Sequence, residues 1–70
     1  MAQYCVNKNP QSTGEHEVHN VTAGCAYLPD ASNRLALGNH QNCHTAVLKA
    51  KQTYSNVDGC FYCSKACHTR

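Results

Sequence analysis

Apolar residues along this 70-residue chain fall into short sets of different spacing, divided by turn signals. Tyr4 and Val6 stand two apart within the Gln3 to Lys8 stretch, and Asn9-Pro10 and Ser12-Thr13-Gly14 follow, which predicts a strand and then a turn. Glu15 to Val21, with Val18 and Val21 but no clean alternation, predicts a second strand that can pair with the first as a hairpin. Pro29 argues against a helix crossing Leu28-Pro29-Asp30. Leu35 and Leu37 then share one face of a third strand within Arg34 to Gly38. At Cys43 the period changes. Cys43, Val47, Ala50 and Tyr54 make one stripe of an amphipathic helix over about 43–54, with Asn42 to cap its first amides. Lys49 and Lys51 sit toward its negative end, and Asn56, Asp58 and Gly59 stop it. The expected fold is α+β: a small three-stranded antiparallel sheet, one amphipathic helix and a zinc knuckle at the C-terminus. All of it forms a single small metal-stabilised domain, residues 1–70.

Composition explains why a metal enters that expectation. Leu, Val, Phe and Ile together supply only 10 of 70 residues. A chain of this length buries only about 60% of the surface its unfolded form exposes, and ordering it costs roughly 1.5 kcal/mol per residue. Six cysteines and five histidines stand where a larger apolar core would be. Six cysteines mean either disulfides or a metal site, and compartment decides between them. The first ten residues hold no basic segment followed by an apolar run, so a secretory signal is not indicated and the cytoplasm is the expected location. The longest apolar runs, such as Leu35-Ala36-Leu37, fall far short of the ~20 residues of a membrane span, which excludes a membrane. A net charge of +2 without a basic block gives no footprint of duplex binding.

The sharpest chemical signal is Cys60-x-x-Cys63, since two thiolates at that spacing can grip one tetrahedral zinc. A thioredoxin-like redox pair would need a βαβ unit, for which the chain has no room. The second pair of ligands must come from upstream, so that the metal ties distant chain together. Cys25 follows Gly24 as Cys60 follows Gly59, and the echo of Gly24-Cys25-Ala26-Tyr27 in Gly59-Cys60-Phe61-Tyr62 marks the two cysteines as comparable positions. His19 is the expected companion of Cys25. His16 and His19 fall on opposite faces of an extended segment, so only one can join the cluster, and His19 is nearer the turn. Cys67 is the alternative fourth ligand, because 60, 63 and 67 would line one face of a helical turn, and His68 is adjacent to it. Cys43 reads as core packing on the helix stripe, Cys5 as a packed thiol, and His40 and His44 as solvent-facing. His16-Glu17-Val18-His19 is one residue short of the His-Glu-x-x-His of metalloproteases. A nuclease built from His40, His44, Cys63 and His68 lacks an acidic or amide partner, so no catalytic set is expected.

The residues from His16-Glu17-Val18-His19 through Gly24-Cys25 and Leu28-Pro29 to Asp58-Gly59-Cys60-x-x-Cys63 and Cys67-His68-Thr69 resemble a family of short uncharacterised bacterial Cys/His-rich proteins. That resemblance covers nearly the whole chain and implies no activity. More loosely, an upstream ligand pair, a helix and Gly-Cys-x-x-Cys in that order are similar to the metal-binding module of the Ada DNA-repair protein, in which a loop and a helix-plus-knuckle supply four ligands to zinc. Only Cys60 and Cys63 match it in spacing, and no residue here corresponds to a methyl-accepting thiol. The expected function is a non-enzymatic zinc-binding module, an interaction domain whose partner is protein or nucleic acid. Tyr27, Phe61 and Tyr62 near the knuckle either pack against the helix, the commoner role of aromatic residues, or form a stacking or binding surface. The alternative is a thiol-based redox or metal-buffering protein using Cys60, Cys63 and Cys67.

Overall fold

The computed structural model describes residues 1–69. Strand β1 (Ala2–Asn7) lies between β2 (His16–Asn20) and β3 (Arg34–His40), antiparallel to both, and a short β4 (Val57–Gly59) runs parallel to β2 at the far edge. The sheet order is β3-β1-β2-β4, so four strands in a mixed sheet replace the expected antiparallel three. The extra strand is only Val57-Asp58-Gly59, two of whose residues are poor strand formers. It is held by its neighbours instead. The Cys60 amide donates to the Val18 carbonyl at 2.9 Å, continuing the ladder, and Asp58 accepts from the amide and the hydroxyl of Thr69 at 2.9 and 3.0 Å. His68 donates through Nδ1 to the Gly59 carbonyl at 2.9 Å.

One helix, α1 (Cys43–Ala50), packs on one face of this sheet. Asn42 caps it as expected, its side chain accepting from the amides of His44 and Thr45. The regular helix ends four residues before Tyr54; the chain continues in a turn over 51–53 that still bonds back to Val47, Lys49 and Ala50. Tyr54 remains packed against the core and stacks on His16, ring centres 3.8 Å apart. The core is small: Tyr4, Val6, Val18, Leu37, Cys43, Ala46 and Ala50, with Val47, Leu35 and Val57 against it. Alternation along β1 and β2 therefore puts Tyr4, Val6, His16 and Val18 toward the helix and Cys5, Glu17 and His19 on the opposite face. A bulge between Tyr4 and Cys5, with Gly38 at φ +83°, leaves Leu37 pointing into the core beside Leu35.

Cys43 and Cys67 are joined by a disulfide with Cα atoms 6.2 Å apart. Cys43 does sit on the buried stripe of α1, but its sulfur is not free, and the bridge fastens the 3-10 turn Lys65–Cys67 to the start of the helix. Gly59 lies directly beneath that turn. A Cβ placed there would stand 2.7 Å from the Cys67 Cβ and 2.7 Å from the Ser64 carbonyl oxygen, which explains why glycine precedes Cys60 by close approach rather than by backbone conformation. His40 is not in solvent either. Its Nδ1 meets the Thr45 hydroxyl at 2.8 Å and its Nε2 meets the Leu37 carbonyl at 2.7 Å. His44 is exposed.

Candidate metal centre

On the face of the sheet away from α1, the structure brings together His19, Cys25, Cys60 and Cys63, with one ligand atom from each lying within 4.8 Å of all the others. Each arrives by a separate piece of local structure. His19 projects from β2, fully buried, while His16 on the helix face spends its Nδ1 on the Asn7 carbonyl at 2.9 Å. Cys25 comes from the turn after β2, which Gly24 at φ +74° lets close. Cys60 and Cys63 occupy the turn after β4, closed by the Ser64 amide donating to the Cys60 carbonyl at 2.8 Å. This group of residues could hold a metal ion.

Two of the six ligand spacings can be set against such an ion. The Sγ atoms of Cys25 and Cys60 are 3.8 Å apart, and Cys63 Sγ is 3.5 Å from His19 Nδ1. A tetrahedral zinc with sulfur at about 2.3 Å and nitrogen at about 2.0–2.1 Å has S···S edges of about 3.8 Å and S···N edges of about 3.5–3.6 Å. Backbone amides also point at the sulfurs. Asn20 N–H donates to Cys63 Sγ at 3.3 Å and Tyr27 N–H to Cys25 Sγ at 3.4 Å. The backbone of Cys63 and of Tyr62 lies close enough to Cys60 to favour its thiolate. Tyr27 lies two residues after Cys25 as Tyr62 does after Cys60, and the two rings come to stack on each other. Donors directed at sulfur favour the thiolate, which is the form that binds metal.

Burial works the other way. It pushes the Cys60 thiol up and, with the neighbouring Cys25 and Cys60 thiols adding to it, carries Cys63 up to about 12. Two sulfurs that resist ionisation when crowded together without a counterion call for a cation to compensate them. Burial, helped by the Arg34 charge, lowers the His19 pKa and keeps its imidazole neutral, the state a ligand nitrogen requires. Its other nitrogen, Nε2, is buried without a hydrogen bond and lies 3.6 Å from Glu17 Oε1. A carboxylate behind a ligand histidine is a usual orienting partner, and Glu17, itself raised by burial, is the residue the sequence pattern passed over. The signal was present: Glu17 is two before His19 and so shares its strand face. Asn20, whose amide serves Cys63, carried no such signal.

Cys67, the alternative fourth ligand, belongs instead to the bridge with Cys43, and His68 is turned to Asp58 and Gly59. The expected helical turn bringing 60, 63 and 67 onto one face does not form, because the chain runs through a turn at 61–63 before the 3-10 segment. Cys5 pairs in register with His19 on the same face but lies outside the cluster; it is buried, and that burial raises its pKa. Among the described residues no helix is long and apolar enough to cross a membrane. Comparison with protein-family models, with curated proteins and with solved structures finds no match to this chain.

Proposed function

We propose that the chain is a non-enzymatic zinc-binding module in which one zinc ion, held by His19, Cys25, Cys60 and Cys63, joins the β2 turn to the turn after β4 and stands in for missing core. The observation that carries this reading is the gathering of four ligand atoms within 4.8 Å of one another, two of whose spacings equal edges of a zinc tetrahedron. Three thiols and one imidazole favour zinc over hard cations, and four protein ligands leave no open position, the mark of a structural rather than a catalytic site. Apparent zinc affinities of about 10–16 kcal/mol in small finger peptides exceed what a core of this size supplies. Membership of the Cys/His-rich bacterial family is part of the same proposal; the Cys43–Cys67 disulfide counts against the cytoplasmic setting expected from the sequence, since disulfides are rare in that compartment. The thiol-redox alternative is weaker, because it needs Cys67 as a free thiol beside Cys60 and Cys63.

The test is circular dichroism of the purified protein during chelation by EDTA. Loss of the helix and strand signal, restored by stoichiometric zinc, is the expected result. A spectrum indifferent to a chelator that has demonstrably removed the metal contradicts the proposal.

A further inference from the structure

Three of the five aromatic residues of this core-poor chain are left in solvent, and they are contiguous. Tyr27 is 58% exposed, Tyr62 65% and Phe61 45%. The Tyr27 and Tyr62 rings stack with centres 4.3 Å apart and planes 17° from parallel, and Phe61 meets Tyr62 edge-on at 5.2 Å. Lys65 stands over the Phe61 ring at 5.3 Å. Exposed aromatic surface gathered in one place marks a binding site more often than an accident of packing.

Charge selects the occupant. Of the four carboxylates, Glu15 and Asp58 are buried and Glu17 is half-buried, Glu15 engaged by Thr13, Asp58 by Thr69, and Glu17 lying beside His19. Among the described residues the exposed charges are thus Lys8, Lys49, Lys51 and Lys65 against Asp30 alone. A surface with parallel rings and nearly bare of exposed acid suits a flexible polyanion that carries its own flat faces.

We propose that the paired rings of Tyr27 and Tyr62, with Phe61 and Lys65 at their edge, form a stacking platform for the unpaired bases of single-stranded nucleic acid, assembled by the metal. The proposal rests on the zinc reading, because Tyr27 belongs to the Cys25 loop and Tyr62 to the Cys60–Cys63 loop, and the ion is what holds the two loops face to face. Bases stack on the outer faces of the ring pair, and Lys65 meets a phosphate. Duplex DNA, with its bases already stacked and paired, offers no such face.

The experiment is fluorescence anisotropy of a short fluorescein-labelled oligodeoxythymidylate titrated with zinc-loaded protein, zinc content and circular dichroism being recorded for each preparation. Tyr27→Ala and Tyr62→Ala, both at exposed side chains, each weaken binding by about 5- to 160-fold, while Leu48→Ala, at an exposed apolar residue of α1 away from the rings, leaves it unchanged. Lys65→Gln makes the logarithmic salt dependence shallower by about 0.7, the contribution of one phosphate contact on a single strand. Zinc-loaded protein that does not bind the oligonucleotide, or binds a duplex of equal length as tightly, overturns this inference and leaves the zinc reading standing. Binding that survives removal of the zinc overturns the role given to the metal, and a preparation that takes up no zinc overturns both.

Discussion

Replacing Gly59 by alanine sets two effects against each other, and their magnitudes predict the sign. Gly→Ala at a compatible position stabilises by about 0.4–1 kcal/mol through the unfolded chain. Gly59 has a negative φ, so backbone strain does not enter. The added methyl, however, meets the Cys67 Cβ and the Ser64 carbonyl oxygen at 2.7 Å and the Cys67 carbonyl carbon at 2.8 Å. These are backbone and near-backbone atoms of a turn that the Cys43–Cys67 bridge fastens to α1, so they cannot swing aside as a long side chain does. Overpacking of this kind costs about 1–3 kcal/mol, which exceeds the entropic gain and gives a net loss of about 1–2 kcal/mol. Because Gly59 is bonded to Cys60, a proposed ligand, the displacement reaches the candidate metal centre as well. Urea unfolding of the zinc-loaded protein at neutral pH measures the first effect, and competition with a chromophoric zinc chelator measures the second. Gly59→Ala shows a lower midpoint at unchanged slope and gives up its zinc to less chelator. A variant as stable as the parent, with equal zinc affinity, refutes the close approach of the Lys65–Cys67 turn to β4.

The Cys43–Cys67 bridge closes a loop with a sequence separation of 24, for which the chain-entropy relation gives about 3.5 kcal/mol; Cys43→Ser with Cys67→Ser lowers the urea stability by an amount of that order while the zinc stoichiometry stays the same. Acidification unfolds the zinc-loaded protein as EDTA does, because protons compete with the metal for the His19 imidazole and the cysteine thiolates. Circular dichroism during an acid titration, with zinc release followed in parallel, measures it, and a helix signal that outlasts the zinc contradicts the structural role of the metal. Asn42→Ala removes the acceptor for the His44 and Thr45 amides and costs about 1 kcal/mol in the same urea assay.

Much of the candidate centre was legible because the Cys/His pattern that points to it is short-range. The Cys60-x-x-Cys63 spacing, the glycines before Cys25 and Cys60, and the strand parity that separates His16 from His19 are all local features, and the structure gathers the residues they point to on one side of the sheet. The stripe of α1 was legible for the same reason, since Cys43, Val47 and Ala50 follow the helical period. Strand β4 was not: Val57-Asp58-Gly59 is too short to show alternation, and it is a strand only because β2 and the tail at Thr69 bond to it. The partner of Cys67 was equally hidden. Nothing in a spacing of three or four residues reveals that a sulfur will meet another across the helix at Cys43. His40 was misjudged because its partners, the Leu37 carbonyl and the Thr45 hydroxyl, are brought together by a strand-to-helix corner that no periodicity describes.

The central claim concerns which atoms surround the ion, and X-ray absorption at the zinc edge of the purified protein reads them directly. The account predicts a four-atom shell of three sulfurs at about 2.3 Å and one nitrogen at about 2.0–2.1 Å, with the nitrogen lost in His19→Ala. A shell of oxygens, or one of sulfur alone, contradicts it.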